Sequence, residues 1–227
     1  MISLDPAHTA LVAIDMHRGH LDPAVATLPL AAERCGLVIA RAAQLFAALR
    51  ARRVPVVHVV TEYRDAQEIL ANPFWRAIHD DPTKARKRMS GHNIIGEPTT
   101  EIIPDLIKPG DWMVRGKKRY SPFHDTGLGF LLDRRLQVDT LIVAGINTTS
   151  CVLCCGFEAT NRDYRVVVAA DAVDSMDGEE MHGFALRLMA ATVGWVLAND
   201  DIIAALSDAG PYRELQRAPA AGNILRG

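Results

Sequence analysis

One cysteine in this chain stands where a thiol could act as a nucleophile. Cys151 follows an apolar, β-branched run at residues 140–144 and a hydroxyl-rich loop, and a helix is predicted to begin beside it. Unpaired backbone NH groups and the positive end of the helix dipole lower the pKa of a thiol there from about 8.5 towards neutrality, and the same NH groups can hold an oxyanion. This position predicts a nucleophile. The other cysteines, Cys35, Cys154 and Cys155, lie within predicted helices and are expected to pack as small apolar side chains.

A carboxylate and a cation that could assist this thiol follow other apolar runs. Asp15 comes directly after residues 10–14. A charge beside a strand buried on both faces must be paired or used, although an aspartate at a strand end can also cap a turn. Lys117 and Lys118 follow residues 112–114, and a cation near the thiol would lower the thiol pKa and stabilise developing negative charge. The residue types leave open which lysine acts, or whether both belong to an exposed loop of charges.

The elements that must position these residues alternate between strands and helices. Short β-branched runs without polar alternation are typical of strands covered on both faces, and they lie at residues 10–14, 54–60, 140–144 and 165–170, with a further one at 112–114. Helices are predicted at residues 31–53, 150–162, 178–192 and 200–207, the third opened by a capping-box pattern of Asp177 and Glu180. The alternation predicts an α/β fold with a doubly wound, mostly parallel sheet and helices on both faces. Ligands bind such sheets at the carboxyl ends of the strands, where Asp15 and Cys151 fall.

Length and composition favour one domain over residues 1–227, because 49% of the residues are hydrophobic and a core of that size can close. Residues 64–110 contain several prolines and glycines and predict a long, mostly irregular loop that covers the site or packs against another subunit. The basic run at residues 84–88 within it is typical of a solvated face. Residues 210–227 lack periodicity and predict a flexible tail or one that wraps a neighbouring subunit.

The charge and cysteine content limit the classes of partner. A formal net charge of -2 leaves no excess of basic residues for phosphate, which disfavours binding to nucleic acid or to anionic membranes and favours a small-molecule partner. Four clustered cysteines are too few for a disulfide framework and indicate a reducing compartment, with the cytoplasm as the expectation. The start of the chain lacks the pattern of a targeting segment, and no apolar run is long enough to span a bilayer.

Three separated motifs give the chain a family resemblance that runs from about residue 9 to residue 206. They are LVAIDM at residues 11–16, a lysine three positions before YSPF at residues 120–123, and AGINTTSCV at residues 144–152. This combination resembles the isochorismatase-like cysteine hydrolase superfamily, which includes nicotinamidases, N-carbamoylsarcosine amidases, ureidoacrylate amidohydrolases and biuret hydrolases. The resemblance implies a three-layer αβα fold, no cofactor, and a homodimer or homotetramer.

The same resemblance assigns roles to residues of the motifs. It implies a catalytic triad of Asp15, Lys117 and Cys151, and it selects Lys117 because the family lysine precedes the serine of its motif by four positions. It also implies a cis peptide between Ile146 and Asn147, and an oxyanion hole formed by the backbone NH groups of Asn147 and Cys151. The implied reaction is two-step hydrolysis of an amide through an acyl-thioester, with Asp15 acting as base and then as acid.

Departures from the family narrow the substrate. True isochorismatases lack the cysteine, so Cys151 favours cleavage of a C–N bond. Nicotinamidases carry a metal-binding Asp-x-His cluster after the second strand, whereas residues 59–64 here read VVTEYR, so no metal is expected there. The favoured substrate is a small ureido or carbamoyl amide, such as ureidoacrylate, biuret, guanylurea or an N-carbamoyl amino acid. A nicotinamidase-like amidase is the alternative.

Substrate contacts are expected from four residues near the motifs: His17, His20, Tyr120 and Phe123. Either histidine could equally be structural. The segment GWV at residues 194–196 resembles the ureidoacrylate and biuret side of the family, although a tryptophan packed into the core explains it as well. Two other classes compete: a thiol redox protein, on the CVLC at residues 151–154, and a non-catalytic binding protein of the same fold. The redox hypothesis leaves Asp15 and Lys117 unexplained.

Overall fold

A parallel sheet forms the centre of the structure, a computed structural model that describes residues 2–84, 86 and 89–206. Within these ranges six strands lie in the order β3-β2-β1-β4-β5-β6, and every neighbouring pair is parallel. The strands are β1 (Thr9–Ile14), β2 (Val56–Thr61), β3 (Trp112–Lys117), β4 (Thr140–Ile146), β5 (Arg165–Asp174) and β6 (Trp195–Leu197). The order reverses direction between β1 and β4, which makes that point the topological switch of the sheet.

Helices cover both faces of this sheet. Alternate residues of β1 pack into two different cores: Leu11 and Ala13 with residues of α2 and α8, and Val12 and Ile14 with residues of α6 and α7. The helices are α1 (Arg18–Leu21), α2 (Ala32–Ala51), α3 (Ala66–Leu70), α4 (Pro73–Asp80), α5 (Leu128–Phe130), α6 (Leu153–Thr160), α7 (Glu179–Thr192) and α8 (Asn199–Ala205). π-Helical turns lie at Leu131–Leu136 and Thr148–Val152, and 3-10 turns at Pro6–His8, Met89–Gly91 and Pro98–Thr100. The predicted doubly wound α/β fold is confirmed.

A glycine lets the two central strands approach each other at their carboxyl ends. Gly145 of β4 has φ +136, and a Cβ atom there would lie 2.1 Å from the carbonyl oxygen of Ile14 in β1. Only glycine tolerates both this φ and this approach. The close pairing brings the residue after β1 next to the loop after β4.

Some local details differ from the predictions. The structure adds β6, a three-residue edge strand too short to give a pattern, and its Trp195 is 47% exposed, which rules out a core tryptophan. Gly178, with φ 93, caps α7 in place of Asp177, whose carboxylate instead pairs with Arg86 at 2.7 Å. The segment of residues 64–110, predicted to be mostly irregular, contains the short helices α3 and α4, capped by the side chains of Asp65 and Asn72, and is otherwise mostly turns and loops in its described part.

The described residues include no helix that is long and apolar enough to cross a membrane. The flexible tail predicted at residues 210–227 lies outside the described ranges, as do residues 85, 87 and 88 of the basic run.

Candidate active site

The thiol of Cys151 lies at the switch point of the sheet. Cys151 belongs to the π-helical turn Thr148–Val152 between β4 and α6, and only 7% of its surface is exposed. Lys117 Nζ, at the end of β3, lies 3.4 Å from Cys151 Sγ and 2.6 Å from Asp15 Oδ2, so it contacts both the thiol and the carboxylate. The structure thus brings together the three residues predicted to form the triad.

A buried ion pair holds the carboxylate and the ammonium in place. Lys117 Nζ donates to Asp15 Oδ2 at 2.6 Å, and each side chain is only 1% exposed. The backbone NH and the hydroxyl of Thr61 both donate to Asp15 Oδ1 at 2.8 Å, and Lys117 Nζ also donates to Thr61 Oγ1 at 2.6 Å. Asp15 itself has φ 52, in the left-handed region that functional residues occupy more often than others do.

The charges of this network follow from burial and from the neighbouring ions. Burial alone would raise the pKa of Asp15, but the neighbouring charges and hydrogen bonds, of which the Lys117 charge is the strongest, together outweigh it and hold that pKa well below its usual range. Burial alone would lower the pKa of Lys117, but the charge and hydrogen bond of the Asp15 carboxylate, together with smaller effects of Cys151 and Tyr63, outweigh it and keep that pKa above its usual value. At neutral pH the site therefore contains a carboxylate and an ammonium ion side by side.

The expected lowering of the thiol pKa is not found. Burial, together with the Asp15 carboxylate, raises the pKa of Cys151 to about 11 against the opposing effect of Lys117. The position at the start of a helix does not decide the protonation of this thiol, because desolvation penalises a buried thiolate more strongly. At neutral pH the resting site holds a protonated thiol beside an ionised carboxylate.

A cavity opens above these groups and is lined in part by the segment of residues 64–110. Ile69, Trp75, Met89 and His92 of that segment contribute to its wall. The segment therefore covers the site, one of the two roles predicted for it. Described residues of other elements, among them Tyr63, Asn147 and Ser150, complete the lining.

An aromatic pair with a stacked cation forms one side of this cavity. Trp75 Nε1 donates to the hydroxyl of Tyr120 at 3.1 Å, and the two ring centroids lie 5.3 Å apart. The guanidinium of Arg119 lies 5.0 Å from the centre of the Trp75 ring, within the range of cation–π attraction. Both flat apolar surface and positive charge are therefore available to a ligand.

Of the four residues predicted to contact substrate, two line the cavity and two do not. His20 and Tyr120 line the cavity. His17 is fully buried beneath it, with Nε2 3.7 Å from Asp15 Oδ1, and is not among the lining residues. Phe123 is also absent from the lining, because its ring packs into the core with Tyr164 at a centroid distance of 6.1 Å.

The backbone around Asn147 has the predicted form. The peptide bond between Ile146 and Asn147 is cis. The side-chain Oδ1 of Asn147 accepts a hydrogen bond from the backbone NH of Met176 at 2.9 Å, which ties this loop to the residues after β5. Asn147 and Cys151 both line the cavity, so their backbone NH groups are the candidates for an oxyanion hole.

Sequence reasoning missed three residues of the site. Thr61 ends β2, so the strand-end rule that selected Asp15 would have found it. His92 and Arg86 lie in a segment without periodicity, and nothing local indicates that they reach the cavity. The other lysine candidate, Lys118, pairs instead with Glu68 at 2.9 Å.

Fold and site together define a doubly wound α/β protein with a buried cysteine, carboxylate and lysine at its topological switch point. The chain belongs to the isochorismatase family, since the family model described as the isochorismatase domain matches residues 9–201.

Similar proteins include bacterial ureidoacrylate amidohydrolases. The RutB ureidoacrylate amidohydrolase of Methylobacterium radiotolerans is 30% identical, over 98% of this chain and 86% of the relative. A RutB ureidoacrylate amidohydrolase of Methylorubrum extorquens is also 30% identical, over 96% of this chain and 89% of the relative. Each of these relatives thus matches nearly the whole chain.

Solved structures share the fold. A cysteine hydrolase from Pseudomonas syringae pv. phaseolicola superimposes with a TM-score of 0.72 over 90% of this chain and 95% of that chain, at 23% identity. An isochorismatase family protein from Burkholderia thailandensis gives a TM-score of 0.69 over 91% and 98%, at 29% identity. The three-layer αβα architecture implied by the motifs is therefore confirmed.

Proposed function

We propose that this protein is a cysteine amidohydrolase that cleaves a C–N bond of a small ureido or carbamoyl amide through an acyl-thioester. The observation that carries the proposal is the contact of Lys117 Nζ with both Asp15 Oδ2, at 2.6 Å, and Cys151 Sγ, at 3.4 Å, beside a cavity. The similarity to ureidoacrylate amidohydrolases over nearly the whole chain supports the same reaction class.

The first half of the reaction makes the acyl-enzyme. The Asp15 carboxylate, ionised at neutral pH, takes the proton of the Cys151 thiol as the sulfur attacks the substrate carbonyl. Negative charge then moves to the carbonyl oxygen, where the backbone NH groups of Asn147 and Cys151 and the positive charge of Lys117 stabilise it. The C–N bond breaks, Asp15 returns its proton to the departing amine or ammonia, and a thioester remains on Cys151.

The second half restores the free thiol. Asp15, again a carboxylate, takes a proton from a water molecule that attacks the thioester carbonyl. The second tetrahedral intermediate collapses with cleavage of the C–S bond, and the proton held by Asp15 passes to the sulfur of Cys151. Lys117 keeps its charge throughout, because it lies beside the Asp15 carboxylate in the resting site and beside the oxyanion whenever Asp15 holds a proton.

Features of the cavity favour a flat, polar substrate. The rings of Trp75 and Tyr120 suit the planar, conjugated atoms of a ureido group. The guanidinium groups of Arg86 and Arg119 also line the cavity and add positive potential, which favours a ureido compound that carries a carboxylate. We therefore place ureidoacrylate and N-carbamoyl amino acids ahead of biuret and guanylurea, which carry no carboxylate.

The direct test is ammonia release from a panel of ureidoacrylate, biuret, guanylurea, N-carbamoyl amino acids and nicotinamide. We expect the wild-type protein to hydrolyse at least one ureido compound and to form a covalent adduct on Cys151, detected by mass spectrometry after rapid quenching. Cys151→Ala should lower turnover by about 10³-fold or more, because the nucleophile is lost.

The matched control is Cys154→Ser, which changes the other cysteine of the CVLC segment and leaves the triad intact. It should keep most of the activity. A protein that needs Cys154 as much as Cys151 would be a thiol redox protein. Preferred turnover of nicotinamide would favour the nicotinamidase-like alternative, and full turnover by Cys151→Ala would refute the nucleophile assignment.

A further inference from the structure

Three histidines gather beside the cavity without a role in the reaction proposed above. His17 and His20 come from the segment after β1, and His92 comes from the segment that covers the site. One ring nitrogen from each lies within 4.8 Å of those of the other two, and all three side chains are buried. The rings of His17 and His20 are stacked with centroids 4.8 Å apart, and His92 lies 4.8 Å from His20.

The hydrogen bonds of two of these rings resemble those of metal-binding histidines. His20 Nδ1 is bonded to the carbonyl oxygen of Leu28 at 2.7 Å, and His92 Nδ1 to the hydroxyl of Thr27 at 2.8 Å. A histidine that binds a metal through one nitrogen usually donates the other N–H to such an oxygen, which orients the ring. Within the described residues Nε2 of His20 and of His92 makes no hydrogen bond to protein, which leaves both lone pairs available.

The third ring, that of His17, has a buried nitrogen without a hydrogen-bond partner. His17 is fully buried, and its Nδ1 has no hydrogen-bond partner among the described residues. Its Nε2 accepts a hydrogen bond from the side-chain amide of Asn93 at 2.6 Å, so in this tautomer Nδ1 carries the ring hydrogen. A buried polar atom without a partner costs about 1–3 kcal/mol, so such atoms are rare in stable cores. A cation bound at Nδ1 requires the ring hydrogen to lie on Nε2, where Asn93 Oδ1, which also lacks a partner among the described residues, can accept it once the amide turns over.

We propose that His17, His20 and His92 bind a divalent transition metal ion, with Zn²⁺ as the natural occupant and one coordination position open to the cavity. Zinc takes imidazole nitrogens at about 2.0–2.1 Å in tetrahedral geometry, which sets the nitrogens roughly 3.4 Å apart, so nitrogens now up to 4.8 Å apart move as much as about 1.4 Å closer on binding. His20 and His92 line the cavity, so a water or a substrate oxygen can take the fourth position. Three histidines with one open position are the ligand set of a zinc site that interacts with substrate.

This site departs from the expectation that the chain has no metal ligands. That expectation considered only the place after β2, whereas these histidines follow β1 and meet a third from a distant loop. The binding site does not depend on the amide chemistry proposed above, and its test needs no substrate.

The test titrates chelator-treated full-length protein with Co²⁺, whose visible absorption reports its ligands. We expect one equivalent to bind with a tetrahedral d–d spectrum, and Zn²⁺ to displace it. His92→Gln should weaken binding by at least about tenfold, and Thr27→Val, which removes only the partner of a ligand, by about tenfold. The matched control His124→Gln, at an exposed histidine, should bind as wild type does.

Two results would overturn the proposal: equal affinity in wild type and in His92→Gln, or loss of the signal in Cys151→Ser alone, which would identify the thiol as the ligand. Circular dichroism melting of each metal-free variant checks that it folds. If His92→Gln does not fold, X-ray absorption of the zinc-loaded wild type decides. A first shell of imidazole nitrogens supports the site, and a sulfur scatterer or no bound zinc refutes it.

Discussion

The buried ion pair between Lys117 and Asp15 is the residue-scale feature with the largest expected effect on stability. Lys117→Met would leave the Asp15 carboxylate in a dry site with Thr61 as its remaining donor. Removing one partner of a buried pair costs about 3–5 kcal/mol. We expect a loss of that size in the free energy of unfolding, measured by urea denaturation.

Lys118→Met is the matched control for that measurement. Lys118 is one position along the chain, and its pair with Glu68 at 2.9 Å is partly exposed. Partly exposed pairs contribute about 0–1 kcal/mol, so this variant should unfold close to wild type. Similar losses of unfolding free energy in the two variants would show that the buried Lys117 pair stabilises the protein no more than the partly exposed Lys118 pair.

The protonation of Cys151 predicts how the resting protein reacts with an alkylating agent. Because burial raises the pKa of Cys151 to about 11, only a small fraction of the thiol is ionised at neutral pH. That fraction increases about tenfold with each unit of rising pH until the pH approaches the pKa. The rate of modification of Cys151 by iodoacetamide, followed by peptide mass spectrometry in Cys154→Ser, should therefore keep rising from pH 7 to pH 10. A rate that levels off near pH 8 would mean that the helix start and Lys117 outweigh burial.

At the scale of elements, the approach of β1 to β4 sets the distance between Asp15 and Cys151. Gly145→Ala would place a Cβ atom 2.1 Å from the Ile14 carbonyl oxygen, at a backbone φ of +136 that alanine rarely adopts. The strands must separate to relieve the clash, and we expect a loss of about 2 kcal/mol or more in unfolding free energy together with a fall in activity.

Gly36→Ala provides the control for this substitution. Gly36 lies within α2, and a Cβ atom there meets nothing within 4 Å. Alanine in a helix interior is favoured over glycine by about 0.5–1 kcal/mol, so this variant should be slightly more stable than wild type. A Gly145→Ala protein as stable as wild type would show that the strands are not held at the distance described.

At the scale of the whole molecule, an ion pair links the segment that covers the site to the loop that follows β5. Arg86 Nη2 lies 2.7 Å from Asp177 Oδ2, in the loop between β5 and α7, and the two side chains are 15% and 27% exposed. The basic run was predicted to be a solvated face, yet Arg86 lines the cavity. The contact joins residues 91 positions apart.

Arg86→Gln should loosen this wall of the cavity. We expect KM for a ureido substrate to rise by about tenfold with a smaller change in kcat, because the loss affects ground state and transition state alike. Lys84→Gln, at a side chain 57% exposed, is the matched control and should leave both constants unchanged. A fall in kcat with KM unchanged would instead assign Arg86 to the chemical step.

Features that depend only on residues close together in the sequence were predictable from the sequence alone. Apolar runs located β1 to β5, since strands buried on both faces need such runs, and the alternation with helices predicted the layers. The strand-end rule then located Asp15 and Cys151. The family motifs chose Lys117 over Lys118, a choice that residue types had left open.

Other features exist only because the sheet order brings distant residues together. Thr61 meets Lys117 56 positions away, and His17 meets His92 across 75 positions, contacts that no local pattern encodes. The protonation of Cys151 also required the structure, because the pKa depends on how completely the fold removes water and where it places Asp15 and Lys117. Local patterns thus set where strands end, whereas burial and electrostatics at those ends depend on the assembled fold.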